Sequence, residues 1–198
     1  MEGKREVYRS RRSPIHTGIV NICFAIGSLV YGTAHFDPSG TYRYTLSRQW
    51  DEARPTIAFI MLNPSQANDA HNDPTIRRCI GLAQQWGYGR LDVVNLFAYC
   101  TAHPRKLAQV KDPVGPENDQ YLIAACEQAE RVLLAWGNWG GRLGRDRTVL
   151  TLLEPHWAKC CSLGLNQTGL PRHPLYVKRD TPLLPWQPLT APTAAAAP

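Results

Sequence analysis

The chain has no G-x-G-x-x-G turn, no Walker loop, no H-E-x-x-H and no G-x-S-x-G. The sequence signals for dinucleotide binding, P-loop phosphoryl transfer, zinc peptidase and serine hydrolase chemistry are therefore missing. None of its six cysteines sits in a C-x-x-C pair, and Cys160 and Cys161 are adjacent. That spacing is neither a zinc-ligand pattern nor an obvious disulfide framework. The cysteines read instead as reduced thiols of a cytoplasmic protein. The apolar stretch at 19–30 is broken by Asn21, Gly27 and Ser28. It is too short to span a bilayer as a helix. There is no internal repeat.

What is present suits one globular domain. The 198 residues are 43% hydrophobic and 19% charged, enough for a single core. The net charge of +6 fits a polyanionic partner such as nucleic acid. Part of that excess sits early, in Lys4, Arg5, Arg9, Arg11 and Arg12. We expect residues 1–33 to be a poorly ordered or non-native extension. Gly32-Thr33-Ala34 also fits a signal-peptide cleavage site. Residues 34–180 are expected to form one α/β domain. Residues 181–198, rich in Pro and Ala, are expected to be a disordered tail.

Ile57 to Leu62 is an unbroken apolar run, the pattern of a strand buried on both faces of a parallel sheet. Asn63-Pro64-Ser65 stops it, because Pro64 cannot donate to a ladder. Asp73-Pro74 predicts a helix start, with Asp73 as cap and Ile76, Ile80, Leu82, Ala83 and Trp86 on the apolar face. Leu91 to Phe97 predicts a second buried strand and Arg131 to Trp136 a third. Cys160 to Leu163 predicts a weaker fourth. Helices are predicted from Pro116 to Ala129 and from Gly140 to Leu153. Tyr42 to Ser47 alternates and predicts a half-exposed edge or hairpin strand.

Strands alternating with helices predict a parallel sheet covered on both faces. Ligands of such sheets bind beyond the carboxyl ends of the strands. Asn63, Pro64 and Ser65, then Asn95, then Trp136-Gly137-Asn138 stand at those ends. An asparagine amide both donates and accepts, so it can read a base edge or hold a water. Phe97 is a candidate to stack on a base. His173 can donate to a substrate carbonyl or stabilise a departing base. Asp69 and Asp73 are acidic candidates, and Asp73 also reads as a helix cap. Arg77 and Arg78 are weak candidates for phosphate contacts.

Together these segments resemble an uncharacterised bacterial and phage family known as a domain of unknown function. The resemblance rests on Leu62-Asn63-Pro64-Ser65, Asp73-Pro74-Thr75-Ile76-Arg77-Arg78-Cys79 and Asn95-Leu96-Phe97-Ala98. It continues through Gly115-Pro116-Glu117-Asn118-Asp119, Ala135-Trp136-Gly137 and His173-Pro174-Leu175-Tyr176. More distantly, the order of motifs is similar to that of the uracil-DNA glycosylase superfamily. That similarity implies a three-layer α/β/α sandwich with a central, mainly parallel four-stranded sheet and no cofactor or metal. It also implies Asn63 in the water-positioning place, Asn95 reading the base and His173 on the leaving-base side. This sequence has Asn63 where the strongest of those enzymes carry Asp, and His-Pro-Leu-Tyr in place of His-Pro-Ser-Pro.

The expected function is glycosylase-like action on, or recognition of, a nucleobase in DNA, flipped into a pocket at the strand ends. DNA is the expected partner, with no membrane association and a plausible monomer. The alternatives are a catalytically inert nucleic-acid or nucleotide-binding module on the same fold, and hydrolysis of free nucleosides or nucleotides.

Overall fold

In the computed structural model, residues 20–23, 29–65 and 67–186 are described. Most of the expected extension, and the tail from residue 187, lie outside them. The strands are β1 (Val20–Cys23), β2 (Leu29–Phe36), β3 (Arg43–Gln49), β4 (Thr56–Met61), β5 (Arg90–Asn95), β6 (Arg131–Leu134), β7 (Cys160–Ser162) and β8 (Leu184–Pro185). Three α-helices join them: α1 (Pro74–Gln85), α2 (Asn118–Gln128) and α3 (Arg145–Leu152).

All eight strands form one mixed sheet in the order β1-β2-β3-β5-β4-β6-β7-β8. The α/β class is as expected, but the sheet is wider and more antiparallel than a four-stranded parallel one. β5, β4, β6 and β7 pair in parallel. β1, β2 and β3 extend one side and β8 the other, all through antiparallel ladders. β3 is therefore not an edge. It lies between β2 and β5, with Arg43, Tyr44, Leu46 and Arg48 buried. β2 and β8 also place residues 29–33 and 184–185, outside the expected 34–180 domain, within the sheet.

The apolar run of β4 is divided between two cores. Ile57, Phe59 and Met61 join Leu91, Val93 and Leu133 under α1. Ala58, Ile60 and Leu62 join Val94, Leu96, Val132 and Leu134 on the opposite face, with Leu122 and Cys126 of α2 and Val149 of α3. The two-residue period of a strand sends neighbours to opposite faces, so a strand covered on both sides must be apolar throughout.

α1 begins as its sequence dictates. The Asp73 carboxylate accepts from the Ile76 amide at 2.8 Å, and Pro74 takes the first helical position. Gly87, at φ +87°, then turns the chain, and the Tyr88 amide bonds back to Ala83. α3 starts later than the sequence predicts. Leu143 and Gly144 both take positive φ, 55° and 66°, which breaks the 140–153 segment into short turns before a two-turn helix.

Candidate active site

Strand register brings the polar exits together. Met61 lies beside Asn95, and Ile60 beside Leu134. The ladder continues past the strand ends through Leu96 N–H to Met61 O and Phe97 N–H to Leu62 O. Beyond these ends opens a cavity of about 660 Å³. That is within the roughly 300–1,000 Å³ of small-molecule pockets. Asn63 and Ser65 from the β4 exit, Asn95 from β5 and Trp136 and Gly137 from the β6 exit line it, as do Asp73 and Thr75 at the start of α1. His173 and Tyr176 line it from a loop far along the chain.

Asn63 donates both amide hydrogens to backbone carbonyls, Pro64 O at 2.8 Å and Thr101 O at 2.7 Å. Its carbonyl oxygen is thereby left as the available group, an acceptor suited to a water or a ligand N–H. Asn95 is 1% exposed, and its Nδ2 has no hydrogen-bond partner among the described residues. A buried unpaired donor costs free energy, and in native proteins it calls for an explanation such as a ligand or water. Trp136 Nε1 is a second buried unpartnered donor on this wall.

His173 Nδ1 accepts from the Leu175 amide at 3.3 Å, which leaves the proton on Nε2. Burial pulls its pKa down to about 4, against a smaller opposing pull from Asp73. The ring is therefore a neutral donor at pH 7. Its loop is fastened to β6 by the Gly137 amide, which donates to Pro171 O at 3.0 Å. Gly137 stands at φ +72°, and a Cβ there would come within 3.2 Å of His173 Cβ. Only glycine meets both conditions without strain. Trp139 and the exposed Tyr176 add aromatic wall, and Arg142 lies 4.1 Å over the Trp139 ring.

Of the remaining expected site residues, all but Asp73 lie off the cavity wall. Pro64 is buried behind the cavity, its carbonyl accepting from Asn63 and from the Thr101 amide. Phe97 is 0% exposed and packs in the core on the α2 face, so it is not available to stack on a base. The aromatic groups at the cavity are Trp136, Trp139 and Tyr176 instead. Asp69 closes a turn with the Ala70 amide. Arg77 donates to Asn72 O, and Arg78 to Pro174 O and Val177 O. The two arginines thus fasten the loops before and beside α1 rather than facing a phosphate. Asp73 is both the cap of α1 and part of the cavity wall.

Sequence reasoning missed Arg43, which lines the cavity and is 3% exposed. Among the described residues no group of three or more His, Cys, Asp or Glu is placed to hold a metal ion. Cys79, Cys100, Cys126, Cys160 and Cys161 are free, and burial raises the pKa of each, which suppresses the reactive thiolate. No described helix is long and apolar enough to cross a membrane. Residues 43–175 match the model of a family described as "Protein of unknown function (DUF1643)". No curated protein and no solved structure matches the chain.

Proposed function

We propose, from the premise that the chain belongs to the DUF1643 family, that the cavity receives a nucleobase and that the protein hydrolyses its N-glycosidic bond. One observation carries the reading. Asn63, Asn95 and His173, from separate parts of the sequence, line one cavity, and the Asn95 donor there is unpartnered. The parallel run β5-β4-β6-β7, covered by helices on both faces, supports the likeness to glycosylase sandwiches.

In this mechanism the Asn95 amide donates to an acceptor on the base. The Asn63 carbonyl oxygen, fixed by its two donor bonds, holds a water toward the anomeric carbon. The bond from that carbon to the base nitrogen breaks, and its electron pair stays on the base. His173 Nε2–H donates to the base oxygen where the charge gathers, which a neutral imidazole does without losing its proton. The water oxygen bonds to the sugar carbon, and its released proton passes through solvent to the base. An amide is not a base, so Asn63 positions the water rather than deprotonating it.

The test is release of free base from oligonucleotides carrying uracil, damaged or modified bases, and from free nucleosides and nucleotides. Asn63→Ala is expected to lower the rate at least tenfold with base binding retained. A folded protein that releases no base from any of them rules the hydrolase out. Binding without release would favour an inert recognition module, the reading that an amide in place of a carboxylate at Asn63 supports.

A further inference from the structure

Three described arginines are nearly fully buried, and two of them are explained by the fold. Arg145 pairs with Asp119 and donates to Leu96 O. Arg48 donates to Ser47 O, Asn68 O and Asn72 Oδ1 and holds the loop after β4. Arg43 differs. Its side chain makes one hydrogen bond among the described residues, from Nη1 to Ala67 O at 2.6 Å. Its Nε is buried with no partner among the described residues, and no described carboxylate stands within ion-pair distance. Burial lowers its pKa only to about 10, so it stays a cation at neutral pH. A buried charge without a counter-ion is costly unless something pairs with it.

The backbone aims this cation deliberately. β2 and β3 stay in register from Tyr31 opposite Gln49 to His35 opposite Thr45, and then Phe36 lies opposite Arg43. Tyr44 is thus the extra residue of a β-bulge. Without it, Arg43 would share a face with Thr45. The bulge puts it on the Phe36 face, where Ala34 and Leu46 pack under α1 and the cavity opens. Bulges beside functional sites commonly re-aim a side chain in this way. Tyr44 turns to the other face and stacks on Tyr121, ring centroids 4.8 Å apart.

We infer that Arg43 is the centre of an oxyanion subsite inside the cavity, and that it takes the phosphate of a free nucleoside monophosphate. The inference rests on the cavity being a nucleobase site, as proposed above, and adds the rest of the ligand. A guanidinium presents a planar fork of donors that matches phosphate oxygens. The charged side chains on the cavity wall are Arg43, Arg172 and Asp73, two cations against one anion, with His173 neutral. The Asp73 carboxylate is partly committed to the Ile76 amide. Arg43 is only 3% exposed, too deep for a phosphate that stays in a duplex backbone at the surface. Its anion must enter with the ligand, which favours a free nucleotide over a polymer.

The experiment uses the full chain and calorimetric titration with a nucleoside, its 5′-monophosphate, ribose 5-phosphate, inorganic phosphate and acetate. The monophosphate is expected to bind at least tenfold more tightly than the nucleoside. Inorganic phosphate should compete with it and raise the melting temperature. Arg43→Gln should abolish the phosphate-dependent gain and leave nucleoside affinity within about threefold. Should Arg43→Gln fail to fold, the wild-type ratio and the phosphate competition decide the matter without it. Equal affinities for nucleoside and monophosphate overturn the subsite while leaving the base reading intact. So does a phosphate effect that survives Arg43→Gln, or acetate competing better than phosphate. Ribose 5-phosphate binding as tightly as the nucleotide leaves the subsite standing and removes the nucleobase.

Discussion

Asn95 and Asn118 are both buried asparagines near the end of β5, and they should behave in opposite ways. Asn118 Nδ2 donates to Asn95 O at 2.9 Å and Leu96 O at 3.1 Å, closing the sheet exit onto α2. Removing it leaves buried carbonyls short of donors, so Asn118→Ala should cost about 2 kcal/mol in urea unfolding. Asn95 Nδ2 bonds to none of the described residues. Asn95→Ala should change stability by less than about 1 kcal/mol and weaken ligand binding tenfold or more. Equal destabilisation by both would make Asn95 a structural residue. The pH dependence of His173 follows from its low pKa, about 4 against an ordinary 6.5. Between those values the unfolded chain binds a proton that the native protein does not. Stability is therefore full above about pH 6.5 and declines as the pH falls toward 4, by on the order of 3 kcal/mol. His173→Gln should flatten that acid limb, while wild-type activity shows no inflection from His173 between pH 6 and 8. Asn63, Asn95 and His173 were legible because each stands at a strand exit or beside a proline. Arg43 was not, because alternation in Tyr42-Arg43-Tyr44-Thr45 assigns it to the wrong face and nothing in those residues announces a bulge. Phe97 misled for a related reason, since a residue two places past Asn95 has already turned into the opposite core.

At the scale of elements, the site is held by contacts between loops that the helices and strands merely bring near. Gly32 in β2 leaves room for the Asp69 carbonyl and the Arg48 guanidinium, so β2 and β3 together support the segment that leads to Asp73. Gly140 lies against the indole of Trp136, and any side chain there would displace that ring from the cavity wall. Gly137 couples the β6 exit to the His173 loop. Gly137→Ala forces a left-handed backbone onto alanine, at about 1–2 kcal/mol. It also presses a methyl against His173 Cβ, 3.2 Å away. The expected result is a modest loss of stability with a larger fall in turnover, measured together with ligand affinity. Turnover falling only as far as the folded population does would show that this contact does not set His173. α1 was readable to within a residue because Asp73, Pro74 and Gly87 carry their own stop and start chemistry. α3 was not, since Leu143 at φ 55° is a conformation that leucine seldom announces.

Across the whole molecule, the helix–strand alternation gave the parallel middle of the sheet but not its antiparallel flanks. β2 carries Gly32, Thr33 and His35 among its apolar residues, so its composition does not read as a buried strand. Its place is fixed by hairpin pairing with β3 across the short turn at 37–42, and not by its own composition. The same global view separates the two classes of substrate. The cavity wall includes Tyr176, 83% exposed, in the short turn after His173. Tyr176 lines the mouth and approaches His173, ring centroids 5.7 Å apart. A duplex brought to this mouth must lose one base from its stack, and an aromatic ring at the vacated position compensates for that loss. A free nucleotide has no stack to break. Tyr176→Ala should therefore lower base release from duplex oligonucleotides at least tenfold if DNA is the substrate, with affinity falling as salt rises. If the substrate is the free monophosphate that Arg43 implies, the same change should alter its turnover by less than threefold. Because Tyr176 is largely exposed, its removal leaves the core untouched, and any difference between the two substrates reports on the mouth alone.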